Sequence, residues 1–112
     1  MKYLIVFEKF DKIGVGDYVL MKPPFYSYVE NEIMNNIKDF LENTIGIVVE
    51  LNININISDI SVKYEYVPKN IEHYFLKKGR VFYRWFDISR IVEYGKTIEE
   101  LKMKKETKKF NL

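Results

Sequence analysis

The chain of 112 residues has no cysteine, no alanine and no glutamine, and it carries a single histidine and a single tryptophan. Without cysteine there is no disulfide, no thiol nucleophile and no thiolate metal ligand. One histidine, His73, leaves no His-x-x-x-His pair, so no zinc set can be assembled from its spacing, and a structural or exposed role is the reading for it. No acids stand at a spacing that demands a paired-carboxylate site. Gly14 and Gly16 lack the third glycine, the Lys-Ser/Thr step and the following helix of a phosphate loop, and read as turn residues. These absences lead to the expectation of no catalytic residue, no metal and no cofactor. No apolar run approaches the roughly 20 residues of a membrane-spanning helix. The apolar start Tyr3 to Phe7 stops at Glu8 with no small-residue cleavage site behind it, so it reads as a strand over Lys2 to Phe10 and not as a secretion signal. The expected location is intracellular, away from membranes.

What is present is aromatic and strand-forming. Eight Phe and nine Tyr join the tryptophan, and 47% of residues are hydrophobic, enough for one core in a chain of this length. The lack of alanine removes the best helix former and shifts weight toward strands. The wealth of Ile, Lys, Asn, Tyr and Phe matches codons rich in A and T, which suggests a virus, a phage or a bacterium of low GC content. The net charge is +2, and the stretch Lys102 to Lys109, with five lysines against one glutamate, is locally +4. The basic character therefore belongs to the end of the chain.

The most regular signal runs from Ile45 to Ile57, where every odd position is Ile, Val or Leu. A period of two is a strand with one buried face, and it directs the odd residues to the core. Thirteen residues at about 3.3 Å each would span roughly 43 Å, too long for one strand of a small domain, so the segment must bend or break beyond Leu51. Ser58-Asp59 reads as the turn, and Ile60, Val62, Tyr64 and Tyr66 as the inward side of the return strand. Upstream, Asp17 to Lys22 reads as a strand ended by Pro23-Pro24. The spacing of Val29, Ile33, Ile37, Phe40 and Leu41 predicts a helix over residues 29–43. Asn70 to Leu76 reads as short helical turns capped by Asn70, Arg80 to Phe86 as a strand, Asp87 to Arg90 as a turn and Ile91 to Tyr94 as a last strand. Thr97-Ile98-Glu99-Glu100 has the form of a capping box that opens a helix over about 97–109, held by a thin stripe of Ile98, Leu101 and Met103.

Gly16-Asp17-Tyr18-Val19, Gly46-Ile47-Val48-Val49-Glu50, Val62-Lys63-Tyr64 and the Trp85-Phe86 to Ile91-Val92 ending together resemble a small SH3-like barrel, the second piece being similar to its KOW type. The resemblance covers about residues 14–94 and implies a mainly β fold in which short antiparallel strands close into a barrel, with the 29–43 helix as an insertion. The Lys2 to Phe10 strand and the basic tail lie outside the resemblance, and the chain is read as one barrel-like domain over 1–95 with a basic helical arm over 96–112. The resemblance also implies a binding role, toward peptides, nucleic acid or other subunits, more than catalysis.

Two functional expectations follow. The first is a non-enzymatic interaction or assembly module of viral or phage type. It would meet a protein partner through the loop aromatics Phe25, Tyr26 and Tyr28 and through Arg80, Phe82 and Arg84, which share strand parity. The second is an RNA or single-strand binder, with the same aromatics stacking on bases and Lys102, Lys104, Lys105, Lys108 and Lys109 contacting phosphates. Against both stands the plainer use of the aromatics as core and of the lysines as a solvated helix face. Oligomeric state and partner identity stay open at this level.

Overall fold

The computed structural model describes residues 13–23 and 31–110. The strand expected over Lys2 to Phe10 and the aromatic segment Phe25 to Tyr28 lie outside the described residues. Six strands form one antiparallel sheet: β1 (Tyr18–Met21), β2 (Gly46–Ile53), β3 (Ser58–Tyr64), β4 (Leu76–Lys78), β5 (Val81–Asp87) and β6 (Ile91–Gly95). Their order across the sheet is β4-β5-β3-β2-β1-β6. Among the described residues the sheet stays open, with β4 and β6 as its two edges, so the expected closed barrel is not found. The reason is visible in the core. Its inner face is covered by helix α1 (Asn31–Asn43) and by a 3₁₀ segment (Lys69–Tyr74), whose Ile37, Leu41 and Ile71 pack with Val48, Ile60, Val62, Phe82 and Phe86. Cover from helices takes the place of a sheet curling onto itself.

β2 carries the main correction. Val48 is fully buried while Ile47 and Val49 are only half-buried, so the first half of the strand sends its even residues inward. Pairing with β3 then shifts register between Val48 and Glu50, a bulge that places Val49 as the extra residue. Beyond it the parity is reversed, and Leu51 and Ile53 pack against the core. The odd-numbered aliphatic residues are thus divided: Ile45 and Ile47 leave the core face, Leu51 and Ile53 reach it, and Ile55 and Ile57 stand in solvent. The turn falls at Asn54 to Ile57, with Ser58 and Asp59 already in β3.

α1 rolls its buried stripe onto Met34, Ile37 and Leu41, leaving Ile33 exposed. Asn70 does not cap the 3₁₀ segment, which follows Pro68 with no side-chain cap. Asp87 does cap, accepting from the Ser89 backbone N–H at 2.8 Å ahead of a second 3₁₀ turn, Ile88–Arg90. β4, unforeseen because Lys77-Lys78-Gly79 looks like a helix stop, pairs with β5 through a turn at Gly79 (φ +65°).

Helix α2 (Ile98–Phe110) lies against β6 and β1. Leu20 and Leu101 are buried apart from the main core, so the helix has its own small hydrophobic contact. The Thr97 hydroxyl accepts from the Glu100 N–H at 3.0 Å, as a capping box requires. The Glu100 carboxylate reaches one residue further back than expected and accepts from the Lys96 N–H at 3.1 Å. No helix among the described residues is long and apolar enough to cross a membrane.

Candidate functional site

The residues proposed from sequence as one contact face are separated by the fold. On β5 the even positions point inward: Phe82 and Phe86 are core, and Arg84 lies between them on the same side. Its guanidinium sits 3.6 Å from the centre of the Tyr74 ring and donates to the Tyr74 carbonyl at 2.8 Å, which fastens β5 to the 3₁₀ segment. Arg80 is exposed in the β4–β5 turn. Phe82 and Arg84 therefore serve packing, and Arg80 stands alone. Phe25, Tyr26 and Tyr28 lie outside the described residues.

The lysines of α2 also part company. Lys104 is committed: its Nζ donates to the Tyr94 carbonyl at 2.9 Å, lies 4.6 Å from that ring's centre and pairs with Glu100 at 3.2 Å. These contacts, with the Lys96 N–H as the leading cause, hold the Glu100 carboxyl below its ordinary range. Lys102 and Lys105 are exposed, and Lys105 borders a cleft of about 450 Å³ shared with Glu42 and Glu93. Lys22 lines it as well, so two lysines face two glutamates and the cleft has no excess charge to draw an anion. Lys108 and Lys109 fall on the last turn of α2, where the side chains are not described. His73 is exposed, and among the described residues no group of three His, Asp or Glu could hold a metal ion.

The apolar opening in the surface lies elsewhere. At the end of the sheet where β2 begins and β3 ends, Tyr18, Phe40, Ile45, Ile47, Tyr66 and Ile98 surround a groove of about 550 Å³, with Lys63 and Glu65 along it. Each lining residue has a local cause. Gly46 takes the inward position of β2, because a side chain there would collide with Val62 Cγ1 and the Tyr64 ring, and this turns Ile45 and Ile47 outward. Ile47 is paired across the sheet with Tyr18 on one side and Lys63 on the other. Tyr66, two residues past the end of β3 and two before Pro68, is 70% exposed. Ile98 opens α2 and is 38% exposed.

Behind the groove the core is aromatic. Phe40, Tyr64 and Phe75 meet pairwise with ring centroids 5.3 to 5.7 Å apart. Burial, with the neighbouring Tyr74 as a lesser cause, pushes the Tyr64 phenol well above its ordinary range. On the same outer face of the sheet as Ile47 and Lys63, next along from the groove, Trp85 of β5 is 45% exposed and pairs with Ser61 of β3. The next pair toward the β2–β3 turn sets Asp59 directly opposite Asp87. Partial burial first, and the Asp87 charge second, raise the Asp59 carboxyl above its ordinary range.

This groove was missed because the alternation of residues 45–57 assigns Ile45 and Ile47 to the core. Gly46 was the signal available: a strand position with no side chain, flanked by two isoleucines, marks a place where another group comes close. The arrangement offers apolar contact bordered by one charge of each sign, and no proton-transfer pair. In comparison with known proteins, the chain matches no family model, no curated protein and no solved structure. The SH3-like resemblance therefore rests on its short motifs alone.

Proposed function

We propose that this protein is a non-enzymatic interaction or assembly module, of the small accessory kind found in viruses and phages, and that the groove where β2 begins and β3 ends is where a protein partner docks. One observation carries the reading: Tyr66, Ile98, Ile45 and Ile47 form an open apolar depression bordered by Lys63 and Glu65. Exposed aromatic and aliphatic side chains gathered around a concavity are the usual anchors of protein recognition. Arg80 and the Phe25, Tyr26 and Tyr28 segment remain candidates for a wider contact area.

The nucleic-acid alternative has less support. Trp85 and Tyr83 on the outer face could stack on bases, and Lys63 and Lys78 lie beside Tyr83, but Glu50, Asp59 and Asp87 share that face toward the β2–β3 turn and oppose a polyanion there. Lys104, the best-placed lysine of α2, is already engaged.

The test is affinity capture from the producing cells with the wild type and with Tyr66→Glu, a change at an exposed position that should leave the melting temperature within about 3 °C, as surface substitutions usually do. A partner recovered by the wild type and depleted about tenfold by the variant supports the reading. Equal recovery by both, or binding of single-stranded RNA at low salt that fades steeply as salt rises, would replace it.

A further inference from the structure

We propose that the occupant of the groove is the β2–β3 turn of a second copy of this chain, so that subunits join head to tail. This rests on the groove being a protein-docking site, and names its partner. The turn is firmly built: the Asn54 N–H donates to the Ile57 carbonyl at 2.7 Å, and the Asn54 side-chain oxygen accepts from the Asn56 and Ile57 N–H groups, both at 2.9 Å. At the apex of this fixed frame Ile55 is 91% exposed and Ile57 41%. Asparagine supplies all the chemistry such a turn needs, and polar residues are its normal occupants. An isoleucine held out in water on a rigid frame is a knob whose ordering cost on binding is already met.

The hole for that knob lies at the other end of the same hairpin. β2 leaves the groove at Ile47 and reaches the turn after Ile53, and β3 returns to Lys63. The eight residues of β2 span roughly 26 Å, so a subunit cannot fill its own groove. Charge agrees with the contact. Lys63 lies along the groove, while the turn end of the sheet carries the opposed Asp59 and Asp87, whose mutual repulsion an incoming cation would relieve. Glu65 also borders the groove, so the attraction depends on Lys63. Knob and hole are different surfaces, which makes the contact heterologous. Repetition gives a ring or an open filament and not a two-fold dimer.

Sedimentation velocity from micromolar to millimolar concentration should show the average mass of the wild type rising. Ile55→Asn removes the knob and Ile47→Lys blocks the hole, and each should weaken association by about tenfold to a hundredfold. Mixing the two variants leaves one intact knob and one intact hole, and should give a one-to-one dimer that stops growing. If Ile47→Lys does not fold, Tyr66→Glu replaces it. A wild type that stays monomeric, variants that associate as the wild type does, or a mixture that recovers nothing would overturn the head-to-tail contact. A monomeric wild type whose capture of another protein is still lost with Tyr66→Glu assigns the groove to a foreign partner and overturns this inference alone. If that capture is also unaffected, the docking reading falls with it.

Discussion

Single positions in this chain are decided by what stands across the sheet from them. Asp59 has a carboxylate, Asp87, directly opposite on β5. Like charges facing each other across strands are destabilising, and here partial burial and the Asp87 charge both raise the Asp59 carboxyl. The sign of the linkage follows. Because the folded-state pKa lies above the unfolded one, folding is penalised when the group is ionised. The penalty is absent below the unfolded value near 3.8, grows as pH rises toward the folded value, and is complete at neutral pH. Asp59→Asn should therefore stabilise by up to about 1 kcal/mol at pH 7 and by nothing at pH 3, read as shifts in the urea midpoint. Equal shifts at the two pH values would show that the charge is not the cause. Asp87 is the poorer choice for substitution, since its carboxylate also caps the Ile88–Arg90 turn.

Among the elements, β2 does most to shape the molecule, and it does so by changing face midway. The bulge at Val49 lets one strand bury Val48 on one parity and Leu51 and Ile53 on the other, which frees Ile45 and Ile47 at its start, the end far from the β2–β3 turn, for the groove. Gly46 is what allows the close approach of β3 at that point. A methyl group added there would collide with Val62 Cγ1 and come within 2.9 Å of Tyr64 Cε1, both on core side chains with no room to withdraw. Gly46→Ala should cost about 1 to 3 kcal/mol, measured by denaturant unfolding with the slope unchanged. A cost near zero would mean that β2 and β3 are more loosely joined than their pairing indicates. α2 works on a smaller hydrophobic contact, supplemented by the Thr97–Glu100 cap and by Lys104 on Tyr94.

At the scale of the whole molecule, one polar contact ties the beginning of the sheet to its end. Asp17 is buried, and its Oδ2 accepts from the Gly14 N–H and from Lys96 Nζ, both at 2.8 Å. Its backbone also receives the Val48 N–H, so a single residue joins the first turn, β2 and the approach to α2. Asp17→Ala removes the buried acceptor that both groups share, leaves the half-buried Gly14 N–H without its partner, and should cost about 1 to 3 kcal/mol. Lys96→Met should cost less than about 1 kcal/mol, because its side chain is half-exposed and water can replace what is lost. Comparable losses for the two variants would show that the ion pair, and not the buried acceptor, carries the stability. The larger assembly, in which the Asn54–Ile57 turn meets the groove, builds on this rigidity: Ile47 and Lys63 of the groove belong to the same hairpin as the turn, and the groove's other walls come from β1, α1 and α2.

Much of the architecture was legible in the residues because local physics dictates it. Alternation in 60–64, the capping box at Thr97, the helix ending near Asn43 and the turn glycine Gly16, with φ +95°, all depend on neighbours within a few positions. Three outcomes depended on residues far apart in the chain. Among the described residues the sheet is open, its inner face taken by α1 and the Lys69–Tyr74 segment. Phe82 and Arg84 were drawn into packing by Tyr74 and the core. Ile45 and Ile47 were turned outward by a bulge and by the side chains of Val62 and Tyr64. Periodicity can state that one face of a strand is apolar, but which side of the sheet receives that face is settled by the bodies packed against it.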